Sequence, residues 1–254
     1  MGRHMIISEP TPLPPGLSVT IPVFHSERTL SRALESVRSC VEQLGAQAGL
    51  ALEDPPDVEI VVVLDGPNEQ CANIASDFSG AFTGSVHVVE IPHSGISRAR
   101  NTGLRHAKYQ NFTVLDADDE LTPARLEEGL SEIAIPVVGR HKLVHDPGWV
   151  GDTVERDQDL NYSTLVIPTE LARKIGGFDE NIALANDLEF LARLEVQNVR
   201  VKLVDDIFVL RHLGPSHASA DRQRIHRERF QVLRDVRDAI RENKEPYQRG
   251  QHAH

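Results

Sequence analysis

The hydrophobic positions of this chain alternate between two periods. Leu17 to Val23 reads as a short apolar strand. Leu30, Ala33, Leu34, Val37, Val41 and Leu44 follow at helical spacing and predict an amphipathic helix. Residues 45 to 57 read as a connection. Val58 to Leu64 is a β-branched run of the kind found in a central parallel strand covered on both faces. Cys71, Ile74, Ala75 and Phe78 predict a second helix, Val86 to Ile91 a strand, and 95 to 108 a third helix. Phe112 to Leu115 is a fourth strand, and Thr122-Pro123 opens another helix. The alternation predicts an α/β fold: an open, mostly parallel Rossmann-type sheet with helices on both faces. The second half is less regular. Strands are expected at 135 to 144 and 161 to 167, with a polar loop containing Trp149 between them. A short helix capped by Thr169 should stop at Gly176-Gly177, and a helix should span 187 to 197. Val199 to Val204 and Ile207 to Leu210 read as two short strands. From Ala220 to Lys244 the chain reads as one helix, with Ile225, Val232, Leu233, Val236 and Ile240 on one side.

In such sheets ligands sit beyond the carboxyl ends of the strands. The Pro22 to Glu27 loop, Asp65 and Asp116-Ala117-Asp118-Asp119 all fall at such ends. The acid cluster carries the most chemistry. Carboxylates at one strand end raise one another's pKa unless a positive charge sits between them. A hard divalent cation bridging to a phosphate is the common remedy. An acid-rich helix start before Thr122-Pro123 is the other reading these residues allow.

Composition narrows the picture. The 254 residues are 40% hydrophobic and 26% charged, ordinary for a soluble globular chain. A net charge of −11 argues against a nucleic-acid partner bound by phosphate neutralisation. No apolar run reaches the roughly 18 residues of a membrane span, and no signal peptide is visible. Cys40 and Cys71 read as buried thiols, which suits a reducing, cytoplasmic setting. Met1-Gly2-Arg3-His4 reads as a cloning scar with Met5 as the natural start, and 6 to 16 as a Pro-rich tail.

The motifs in order resemble a known family. They are Ile21-Pro22-Val23-Phe24 with Glu27; Val61-Val62-Val63-Leu64-Asp65-Gly66; and Gly95 to Gly103, containing Arg98-Ala99-Arg100-Asn101. The Asp116 cluster, Gly176-Gly177-Phe178-Asp179-Glu180, Asn186-Asp187 and Arg211-His212 follow. Over residues 17 to 217 this resembles a family 2 glycosyltransferase with the GT-A fold. The resemblance implies metal-dependent, inverting transfer of a sugar, with Mn²⁺ or Mg²⁺, from a nucleoside-diphosphate sugar (a UDP-sugar foremost) to an acceptor hydroxyl. It divides the chain into a tag scar and tail (1–16), a nucleotide-sugar-binding half (17–134), an acceptor-binding half (135–217) and a C-terminal helix and tail (218–254).

By the same resemblance, Pro22, Phe24 and Glu27 would line the nucleotide, and Asp65 would bind the base. Arg100 and Asn101 would lie near the sugar or diphosphate. Asp116 and Ala117 would touch ribose or donor sugar, Asp118 would ligate the metal, and Asp119 would orient its neighbours. His212 would be a further metal ligand, with His217 as backup. Asp187 would be the catalytic base, and such a base contributes about 10²–10⁴ in rate. Asn186 stands where the family usually has Glu, which raises the alternative of a weak or inactive nucleotide-sugar binder. Trp149, Tyr162, Asp179, Glu180 and Asn186 are the acceptor-side candidates.

The acceptor is expected to be a small molecule, peptide or oligosaccharide. The Arg-rich C-terminal helix reads first as a solvated face, because Glu228, Asp235, Asp238 and Glu242 interleave with its arginines. Peripheral membrane contact, a lid or a homodimer contact are its other readings. A haloacid-dehalogenase-like phosphatase ranks lower, since three strands precede the acids. A dinucleotide oxidoreductase lacks its Gly-x-Gly-x-x-Gly.

Overall fold

A computed structural model of the chain describes residues 12–48, 56–147, 162–182, 185–214 and 222–241. Trp149, His217, the first 11 residues and those after 241 lie outside them. The predicted first half forms as read: β1 (Leu17–Val23), α1 (Leu30–Gln47), β2 (Val58–Asp65), α2 (Glu69–Ser79), β3 (Ser85–Ile91), α3 (Ile96–His106) and β4 (Asn111–Val114). After β5 (Glu120–Leu121) come α4 (Pro123–Leu130), β6 (Val137–His145), β7 (Leu165–Pro168), α5 (Thr169–Lys174), α6 (Asn186–Val196), β8 (Lys202–Leu213) and α7 (Arg222–Arg241).

The eight strands form one sheet in the order β3-β2-β1-β4-β7-β6-β8-β5. β3, β2, β1 and β4 are parallel. The second half is mixed: β7 runs antiparallel to β4 and β6, β6 and β8 are parallel, and β5 is antiparallel to β8. The continuous apolar run of β2 has a direct cause in the layering. Ile60, Val62 and Leu64 pack into the core with α1 and α2, while Val61 and Val63 meet Ala99 of α3 on the other face. Gly103 of α3 lies so close to Thr20 of β1 that any Cβ there would collide with the threonine. The fully buried Arg125 of α4 donates to the carbonyls of Val114 and Leu165 and to the Thr113 hydroxyl, joining β4 to β7.

Four local readings are corrected. The two strands expected at 199–204 and 207–210 are one long strand, β8, bulged against β6 near Arg140. The strand expected from 161 begins only at Leu165, after a 3₁₀ turn over Tyr162–Thr164. Thr169 does not cap α5: its hydroxyl donates to the carbonyl of Tyr109 at 2.7 Å, so it anchors the helix to the preceding layer. On α7, Leu233 faces outward rather than sharing the buried side of Val232.

Candidate active site

A cleft of about 1290 Å³ opens at the carboxyl ends of the parallel strands. Of the predicted residues it is lined by Pro22, Phe24, Glu27, Asp65, Asp116, Ala117 and Asp118. The loop after β1 forms one lip. His25 adopts a positive φ of 50° there, and Phe24 stacks on His93 with ring centroids 4.4 Å apart. Glu27 accepts a hydrogen bond from the Asn68 side chain at 2.7 Å, which holds its carboxyl below the usual range. Asn68 also caps α2 through the Cys71 N–H. Asp65 leaves β2 and accepts from the backbone N–H groups of Ser94 (2.6 Å) and Gly95 (2.9 Å), with His93 Nδ1 3.0 Å away. It therefore shapes the loop that starts α3, a task beyond the base contact the resemblance implies.

The acid cluster is a tight turn, closed by the Asp119 N–H donating to the Asp116 carbonyl. Asp119 is 2% exposed. Burial, then the charges of Asp116 and Asp118, push its carboxyl well above the usual range, and the His212 N–H donating at 3.0 Å offsets part of this. All three acids line the cleft, Asp116 and Asp118 with more of their surface exposed than Asp119.

Arg100 is the connecting group. Its side chain is 2% exposed and lies over the Phe178 ring, 5.3 Å from the centroid. It donates to Asn186 Oδ1 and Asp187 Oδ1, both at 2.8 Å, and to Asp116 Oδ1 at 3.1 Å. One guanidinium thus ties the cleft acid of β4 to the first turn of α6. Asn186 accepts from Arg100 as a carboxylate would, without adding a third negative charge.

Asn101, next in sequence, turns away from the cleft. Its amide donates to the Phe178 carbonyl and to Glu180, and its carbonyl accepts from the Phe178 N–H. It holds the Gly176-Gly177 turn, so its expected place beside the donor sugar is corrected. Asp179 is likewise buried in that turn, accepting from the Asn181 backbone and side chain. Buried Arg193 braces the same turn through the carbonyls of Ile175 and Gly177 while pairing with Glu189.

His212 lies between two carboxylates. Nδ1 contacts Asp146 Oδ1 at 2.7 Å, and Nε2 contacts Glu120 Oε1 at 2.5 Å. Both ring nitrogens are thus in contact with carboxylates in this arrangement. Among the described residues no group of three or more His, Cys, Asp or Glu is arranged to hold a metal alone.

The latch around His212 was not read from the sequence. Asp146, after β6, accepts from Arg32 of α1, and its carboxyl is held below the usual range by the His212 contact and then by Arg32. Arg32 also donates to the Asp118 carbonyl at 2.6 Å. Arg28, Arg32 and Arg211 bring three cationic side chains to the cleft lining. A helix-face arginine four residues after Arg28 was the available signal.

The chain is similar to known proteins in sequence and in fold. The sequence profile of the family described as Glycosyl transferase family 2 matches residues 18–139. An uncharacterized glycosyltransferase of Escherichia coli K12, YibD, is 31% identical over 199 residues, covering 72% of this chain and 54% of that protein. Another, EpsJ of Bacillus subtilis, is 26% identical over 128 residues, and the chain spans 33% of its length. The fold is shared with GT-A glycosyltransferases. Staphylococcus aureus TarS, solved with UDP-GlcNAc, superposes with a TM-score of 0.63 at 19% identity, over 89% of this chain and 66% of that one. The mannosyltransferase PcManGT of Pyrobaculum calidifontis, solved with GDP-Man and Mn²⁺, superposes with a TM-score of 0.62 at 18% identity, over 92% and 66%.

Proposed function

We propose, on the premise that the chain carries a glycosyl transferase family 2 region over residues 18–139, that it moves a sugar from a nucleoside-diphosphate donor to an acceptor hydroxyl with inversion. The observation that carries the reading is the Arg100 guanidinium, which sets Asp187 beside the cleft acid Asp116. Asp187 Oδ1 is held by Arg100, so Oδ2 is the atom to receive the acceptor proton. The acceptor oxygen then bonds to the anomeric carbon from the face opposite the diphosphate. The carbon–oxygen bond to phosphate breaks, and the nucleoside diphosphate departs with the electron pair.

The donor fits the strand-end cleft with its nucleoside toward Phe24, Glu27 and Asp65 and its diphosphate toward Arg28, Arg32 and Arg211. A UDP-sugar is the first candidate, because TarS binds UDP-GlcNAc within the same fold. Asp118 and Asp116, two carboxylates at the cleft, would hold a Mn²⁺ or Mg²⁺ through hard oxygen donors. When bound, such an ion neutralises charge on the leaving diphosphate.

Asn186 accepts from Arg100 at 2.8 Å, and turnover separates an active transferase from the weak-binder alternative. The test is Asp187→Asn. Turnover should fall about 10²–10⁴-fold while donor affinity is kept. Unchanged turnover removes Asp187 as the base.

A further inference from the structure

We propose that α7 is a docking surface for an anionic lipid bilayer. Its rotation is fixed by α6: Val232 packs with Ile182 and Ala185, and Glu228 accepts a hydrogen bond from the Ala185 N–H at 3.2 Å. This turns the other side of the helix outward. Phe230 is 76% exposed and Leu233, one turn on, is 54% exposed. Two large apolar side chains together on a surface helix mark a contact surface.

Their surroundings state its chemistry. Arg227, Arg229 and Arg234 are exposed around them. Two acids of the helix are engaged elsewhere, Glu228 with the Ala185 N–H and Asp235 with the Gln231 amide. Apolar residues ringed by arginines suit acyl chains beneath phosphate headgroups. The chain as a whole carries −11, so an anionic surface repels the rest of the molecule and orients it by α7. Because α7 leans on the helix that begins at Asn186-Asp187, docking turns the Asp187 side of the cleft toward the membrane. That consequence, an acceptor presented at a lipid surface, rests on the transferase reading; the docking itself does not.

The test is co-sedimentation of the full chain with vesicles of phosphatidylcholine alone and of phosphatidylcholine mixed with phosphatidylglycerol. Binding is expected only to the anionic vesicles and should fall as salt rises. Arg227→Glu with Arg234→Glu should weaken it about tenfold or more, since each arginine at such a surface contributes about fivefold. Phe230→Ser with Leu233→Ser should weaken it about tenfold or more through lost apolar burial. Both pairs change exposed side chains, so circular dichroism melting should match the wild type. Absence of binding, equal binding to neutral vesicles, or binding unmoved in both variants overturns the proposal. So does a dimer, seen by light scattering without vesicle binding, that the Phe230 and Leu233 changes dissociate. No nucleotide enters this assay, so its failure is separable from failure of the transferase reading.

Discussion

Replacing Arg100 by Met removes the one group that joins the cleft acid to the proposed base. The side chain is almost fully buried and makes three hydrogen bonds to Asp116, Asn186 and Asp187. Each hydrogen bond with a charged partner contributes about 1.5–3 kcal/mol, but three on one guanidinium do not add. Removing one side of a sealed ion pair costs about 3–5 kcal/mol. Here Asp116 and Asp187 keep 30% and 34% of their side-chain surface in water, which takes over part of the lost pairing. Met also retains the packing on Phe178. The net loss is therefore about 2–3 kcal/mol, a drop of roughly 5–10 °C in Tm for a chain of this size. Turnover, followed as nucleoside-diphosphate release, should fall by about 10²-fold or more as Asp187 loses its fixed geometry. In a double-mutant cycle, Asp187→Asn should cost little further turnover once Arg100 is gone, because both changes disable one unit. A variant that melts with the wild type and turns over at its rate would refute the reasoning, as would fully additive losses in the cycle.

Two further outcomes follow from the same contacts. Asp146→Asn should melt earlier than the wild type at neutral pH. The Asp146 carboxyl is depressed by His212 and Arg32, so its stabilisation is full above the ordinary aspartate range and is lost as pH falls through the lowered value. The gap in melting temperature should close as the pH is taken below 4, and a gap constant across that range contradicts the latch. Gly177→Ala should destabilise by about 1–3 kcal/mol, because Gly177 has φ +65° and its added Cβ would meet the Asn101 amide. Thermal melting checks this, and a stability equal to wild type would show that the turn can relax.

The legible part of the molecule was local. β1, β2 and β4 are short strands rich in apolar residues, so pattern located them, and their carboxyl ends located Asp65 and Asp116 to Asp118. The illegible part depends on pairs far apart in the chain. Arg32 meets the Asp118 loop 86 residues on and Asp146 another 28 beyond, which no spacing rule anticipates. His212 stands in the motif, but its place between Asp146 and Glu120 depends on residues 66 and 92 positions away. Asn101 has the same difficulty, since the choice between sugar and the Phe178 backbone lies in the rotation of α3. On α7 the helical period gave a helix but misjudged its facing, because Val232 and Leu233 are adjacent and packing on α6 selects one of them.

Calorimetric titration with UDP, GDP, dTDP and CDP, with and without Mn²⁺, on the wild type and Asp118→Ala tests the central claim most directly. The account predicts manganese-dependent binding of one nucleotide, UDP first, lost in the Asp118 variant. Nucleotide binding indifferent to both metal and Asp118 would contradict the metal-assisted donor site, and no nucleotide binding at all would contradict the transferase reading.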